Sequence, residues 1–150
     1  MSTLIQGSQV RSIALGVRVE KSTGTLAATT VPLFTIAGGL VAVTSLVGRV
    51  TTAITVANSY KLQHNPTLGT TRDVFSATDL GTTDTAAGEI IVPLLDAAAV
   101  VTVGARGQKT GGAFICDSGQ IESVSAGTDG AILWVLTYVP IDNGASVVAA

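Results

Sequence analysis

The residue types that could do chemistry are few in this chain. His64 is the single histidine, the side chain best suited to moving a proton near neutral pH. It stands in His64-Asn65-Pro66, at the end of an expected strand. A Ser-His-Asp triad through it would need a presented nucleophile, and no Gly-x-Ser-x-Gly elbow occurs. His64 is therefore expected as a polar loop residue, and no catalytic residue is assigned. The acids Asp73, Asp79, Asp84 and Glu89 are five or six apart. Calcium loops place oxygen ligands at every second residue around a glycine, so these are read as solvated loop acids and no metal is assigned. Gly104-Ala105-Arg106-Gly107-Gln108-Lys109-Thr110-Gly111-Gly112 contains Lys-Thr but lacks the Gly-x-x-x-x-Gly-Lys-Ser/Thr order of a phosphate loop, and no helix is expected after it. It reads as a surface turn, and no cofactor is assigned. Cys116, alone, allows no intrachain disulfide, and in Phe114-Ile115-Cys116 it reads as a small apolar residue. Trp134 and Tyr138 share one face of a strand-like run. They could form a sugar-binding platform or a buried face. Leu133, Val135 and Val139 make the opposite face apolar as well, which favours burial.

The elements that must position these residues are read from composition and period. Of 150 residues, 47% are apolar and 12% charged, with a net charge of −2. Soluble proteins average about 25% charged residues, so the surface must be unusually neutral, from Ser, Thr and Ala or from burial in an assembly. Lys and Arg are scattered singly, which excludes the basic face of a nucleic-acid binder. No apolar run reaches the length of a spanning helix: 37–48 is broken by Thr44 and Ser45, and 89–105 by Pro93 and Asp96. The N-terminus has neither the basic start nor the apolar core of a signal peptide. A soluble protein made in a cytoplasm, without membrane or direct nucleic-acid contact, is expected.

Residues 1–10 read as an arm. From Arg11 the period is two, with Ile13, Leu15, Val17 and Val19 on one face, predicting a half-buried strand. Further strands are expected at Leu33–Ile36, at Leu40–Val47, with a bend or bulge at Gly48, and from Val50 to Leu62, whole or split near Asn58. Pairing should stop at Pro66. Residues 68–88 read as an exposed loop with one short strand around Val74-Phe75. Then come strands at Glu89–Leu95, Ala99–Val103, Phe114–Cys116, Gln120–Val124 and Ala131–Ile141, followed by a weakly patterned tail from Ala145. No helical period is evident. The fold class is all-β: one antiparallel β-sandwich or barrel, jelly-roll-like, over 11–150, with the short N-terminal arm over 1–10. The run Ile132-Leu133-Trp134-Val135-Leu136-Thr137-Tyr138-Val139 needs cover on both faces. Trp134, Leu136 and Tyr138 are expected to fill one interior, and Leu133, Val135 and Val139 to meet a second layer or another subunit.

Leu33-Phe34-Thr35-Ile36-Ala37-Gly38-Gly39, Val43-Thr44-Ser45-Leu46-Val47-Gly48 and Val50-Thr51-Thr52-Ala53-Ile54 resemble stretches of small structural proteins of tailed bacteriophages. So does the ending Trp134-Val135-Leu136-Thr137-Tyr138-Val139-Pro140-Ile141-Asp142-Asn143-Gly144-Ala145. The resemblance covers about half of the chain and omits its polar middle. It implies a virion component similar to head decoration (cement) proteins, which bind the outer capsid lattice, commonly as trimers, and brace it against internal DNA pressure. The implied partners are the major capsid protein and further copies of the chain, as a homotrimer. The implied location is the capsid surface, after synthesis in a bacterial cytoplasm. Three alternatives stay open: a tail component, a head-fibre component, and a host-surface carbohydrate-binding module using Trp134 or Tyr138.

Overall fold

Alternation of apolar and small polar residues builds most of this molecule. The computed structural model describes residues 6–96, 99–104 and 113–150, of which 94–96 and 99–104 by their backbone course. Two antiparallel sheets pack against each other as a β-sandwich, open at its edges, and do not close into a barrel. The first sheet runs β1 (Val17–Thr25), β10 (Ala131–Pro140), β3 (Val41–Thr52), β6 (Ile90–Asp96) and β7 (Ala99–Gly104). Its centre is β3, twelve residues long. One side of β3 pairs with β10 throughout, and the other is shared by β8 (Phe114–Cys116) near Val41 and by β6 near Gly48. The second sheet runs β11 (Ser146–Ala149), β2 (Thr30–Ala37), β9 (Gly119–Ser125), β4 (Ser59–Pro66) and β5 (Arg72–Asp79).

The inner faces interdigitate around Leu33, Phe34, Ile54, Tyr60, Ile121 and Trp134, all without exposed surface. Each aliphatic or Phe side chain so buried contributes about 1.5–3 kcal/mol, which is what holds two sheets of short strands together. The outer faces are polar or half-buried: in β10 the buried and half-buried residues alternate strictly from Ala131 to Tyr138.

Several sequence-based expectations need correction. The strand expected from Arg11 starts only at Val17, because Gly7–Leu15 forms a helix, α1. Gly16 makes the change of direction with φ of +94°, and a Cβ there would collide with the Tyr138 carbonyl. The alternation Ile13-Leu15-Val17-Val19 crosses this boundary and disguises it. No residue of α1 is buried, so burial never imposed a helical period on its sequence. Gly48 is neither bend nor bulge. The β3–β10 register runs unbroken from Val50 to Ser45; the extra residue of the bulge is Thr44, between Val43 opposite Tyr138 and Ser45 opposite Thr137. Gly48 faces Trp134, and an added Cβ would lie 3.1 Å from two indole carbons. The expected loop at 68–88 contains the full eight-residue β5, whose outward Arg72, Asp73 and Ser76 concealed it. The tail pairs with β2 as β11 and buries Val147. His64 is a strand residue of β4, opposite Ile121, not a loop residue. The turn expected at Gly104–Gly112 lies outside the described residues beyond Gly104.

Candidate functional site

The Trp134 strand, β10, lies between β1 and β3 in the first sheet. On its inner face Trp134 is fully buried, stacked at 5° on the ring of Tyr60 with centroids 6.3 Å apart. Phe75 closes the cluster, its centroid 6.2 Å from Trp134 and 6.3 Å from Tyr60. Aromatic pairs at such separations contribute about 0.5–1.5 kcal/mol beyond their buried area. The indole Nε1–H donates to the Tyr60 hydroxyl at 2.8 Å, and the Ser123 hydroxyl donates to the same oxygen at 2.9 Å. Burial pushes the Tyr60 phenol far above its ordinary range, against the opposing pull of these two bonds. Leu136 and Tyr138 continue the buried face, at 0% and 5% exposure. Neither Trp134 nor Tyr138 offers a ring face to a sugar in this chain.

The outer face of the same strand is different. Leu133 and Val135 are half-buried and Val139 is 42% exposed. Leu133 lies opposite Arg49 and Val135 opposite Val47 on β3. On β1, Glu20 lies opposite Val135 and Arg18 opposite Thr137. Towards the end of the strand the apolar exposure grows: Val139 and Ile141, and from α1 Leu15, Ile13 and Val10, are all between 42% and 78% exposed. Val17, 42% exposed, lies on the inner side, opposite Tyr138. Leu15 sits close to β3, its carbonyl accepting a hydrogen bond from the Thr44 hydroxyl at 3.3 Å.

The polar residues singled out by type are dispersed. His64 places Nε2 3.0 Å from the Asp117 carbonyl oxygen. Asp73 pairs with Lys61 at 2.7 Å. Cys116 faces the core from β8, and burial pushes its thiol up to about 12, which withholds the thiolate that nucleophilic chemistry uses. Among the described residues no three His, Cys, Asp or Glu side chains gather as a metal site would require.

Two carboxylates organise one end of the sandwich: Asp79, expected from the sequence as a solvated loop acid but in fact the last residue of β5, and Asp129, which sequence reasoning passed over. Asp79 accepts the hydroxyl of Thr82 and the backbone N–H groups of Gly81 and Asn58, in that order of effect, and its carboxyl falls from an ordinary 3.8 to about 2. Asp129 accepts the N–H and hydroxyl of Thr55, each at 2.8 Å, and the N–H of Val56, and is likewise lowered. Between them Asn58, fully buried, accepts the N–H groups of Ala126 and Gly127 at 3.0 and 2.9 Å. Three loops, after β3, β5 and β9, are thereby tied together. Asp79-Leu80-Gly81-Thr82 carries the side-chain-to-backbone turn signature that would have revealed the first of these knots.

A second polar group lies on the outer face of the other sheet. Glu122, 8% exposed, accepts amide hydrogens from Gln63 at 2.7 Å and Asn65 at 3.1 Å. Beside it a shallow cavity of about 330 Å³ is lined by Thr35, Asn65, Thr67 and Gln120.

No protein-family model, curated protein or solved structure matches this chain.

Proposed function

We propose that the protein is a structural component of a phage virion, a capsid decoration protein that binds the outer surface of the major capsid lattice and stabilises the head. The observation that carries this reading is the two-sided character of β10. Its inner face fills the core, while its outer face and the adjoining α1 leave an apolar surface uncovered in the single chain. Exposed apolar residues near one end of a domain suit a surface that another molecule covers. The loop-tying Asp79, Asp129 and Asn58 support the reading too, because they stiffen one end of the domain, and a brace must resist strain. The sequence resemblance to phage structural proteins supplies the setting, with three copies around a local three-fold axis as the arrangement it implies.

Cryo-electron reconstruction of purified virions tests this. Density for the chain on the outer capsid, in copy numbers of hundreds per particle, is the expected result. Density in the tail alone, or absence of the chain from virions, would overturn it.

A further inference from the structure

We infer that β1 is a self-pairing edge, through which two copies of this chain join their sheets across a two-fold axis. An edge strand presents unpaired backbone N–H and C=O groups, and natural proteins interrupt, shorten or charge such edges to prevent pairing. The edges of this sandwich differ in that respect. The β5 edge is broken by two register shifts against β4, and β11 is four residues long. By contrast, β1 keeps one register against β10 over the six residues Val17 to Ser22, shifting only between Ser22 and Thr25; it is charged at Arg18, Glu20 and Lys21, and its other side has no strand partner among the described residues. At Leu15, just ahead of Gly16, the chain reaches towards β3, where the Leu15 carbonyl accepts from the Thr44 hydroxyl.

The charges on this edge specify the partner. Arg18 and Glu20 lie on the outer face of β1, 60% and 49% exposed, and pair with each other within the strand. That exposed pair contributes little to stability. Two copies that continue one sheet across a perpendicular two-fold axis keep inner and outer faces matched, so the axis must pass through a residue, not between two. An axis at Arg18 sets Arg18 against itself, and one at Glu20 sets Glu20 against itself. An axis at Val19 sets each Arg18 directly opposite the Glu20 of the other copy, twice, and Val19 against Val19 on the inner side. Opposite charges in directly opposed positions favour pairing and like charges oppose it, so of these three registers Arg18-Val19-Glu20 favours the one centred on Val19. The partner is a second copy of this chain.

This contact rests on the self-association part of the proposed function, not on its capsid location. Being two-fold, it would join neighbouring trimers of a three-fold assembly rather than the copies within one. Each such contact is small, and repetition over a lattice multiplies weak contacts into firm attachment.

The test uses purified full-length chain in sedimentation equilibrium at low ionic strength, up to about 1 mM. Arg18→Glu makes the edge wholly acidic and Glu20→Arg makes it wholly basic at these two positions. Each variant alone should lose about tenfold or more in self-association, with far-ultraviolet dichroism and tryptophan emission unchanged. An equimolar mixture of the two should associate again, because the acidic edge of one variant then faces the basic edge of the other. The double variant R18E/E20R should associate as well, since exchanging the two charges restores opposite signs across the axis. Two results overturn the inference. Wild-type chain that stays monomeric throughout the range refutes the edge contact. Association undiminished in both single variants assigns self-association to another surface and leaves the proposed function standing.

Discussion

The Tyr60 hydroxyl is the one polar atom on which the deepest part of the core converges. It accepts from Trp134 and from Ser123, and all three residues are at most 2% exposed. A buried donor left without its partner costs about 1–3 kcal/mol. Tyr60→Phe keeps the ring stack but strips the acceptor from the indole N–H. Its unfolding free energy is expected to fall by that amount, read as a lower urea midpoint with the slope unchanged; an unaltered midpoint would mean that the indole finds another acceptor. This bond was invisible in the sequence, because Tyr60 and Trp134 are 74 residues apart and nothing local links them. What could be read locally was parity: Tyr60 falls in step with Val50, Ile54 and Leu62, and Trp134 with Leu136 and Tyr138. Gly48 shows the limit of that kind of reading. Its role is to leave room for a ring on the neighbouring strand, and no pattern along β3 records it.

At the scale of elements, the strands that bury one face announced themselves and the others did not. β10 carries an apolar residue at every inward position from Ile132 to Tyr138, and β2 and β3 carry them on either side of a bulge, since inward positions face the opposite sheet; β9 has Ile121 alone, beside inward Ser123 and Ser125. β5 buries Phe75 and half-buries Val74 and Thr78, too little apolar signal to stand out from its Asp, Ser and Thr neighbours. The helix α1 buries nothing, so there was no periodic constraint to detect. β11 depends on Val147, 3% exposed, while its neighbour Val148 is 55% exposed. Val147→Ala should cost about 1–3 kcal/mol in chemical denaturation, by lost transfer energy and the cavity left behind. Val148→Ala should stay within about 0.5 kcal/mol, as surface changes do. Equal effects at the two positions would show that β11 does not dock in this register. The same contrast explains the candidate site: the interior half of β10 was legible as a period, whereas the loop knots made by Asp79, Asp129 and Asn58 join segments far apart in sequence.

The whole molecule is a sandwich with one end tied by carboxylates and the other bearing exposed apolar residues. The tied end makes stability depend on acid. Asp79 is held at about 2 in the folded state against an ordinary 3.8. Its depressed value means that its bonds contribute fully above the ordinary value and are lost as pH falls through the folded one. Thermal midpoints should therefore drop between about pH 4 and pH 2, and Asp79→Asn should flatten that part of the profile. A variant that keeps the wild-type slope would shift the acid sensitivity to other groups. The pairing of β1 with β10 has a different kind of consequence, one of time. Lys21 lies opposite Trp134, more than a hundred residues later in the chain. At about 5–20 residues per second of synthesis, β1 leaves the ribosome many seconds before the strand that pairs with it exists. During that interval the first strand must stay out of other sheets, and loop closure over such a span makes its pairing slow even in the finished chain. The charges on β1 are present throughout that wait, when they keep a nascent strand soluble before it has a sheet to belong to.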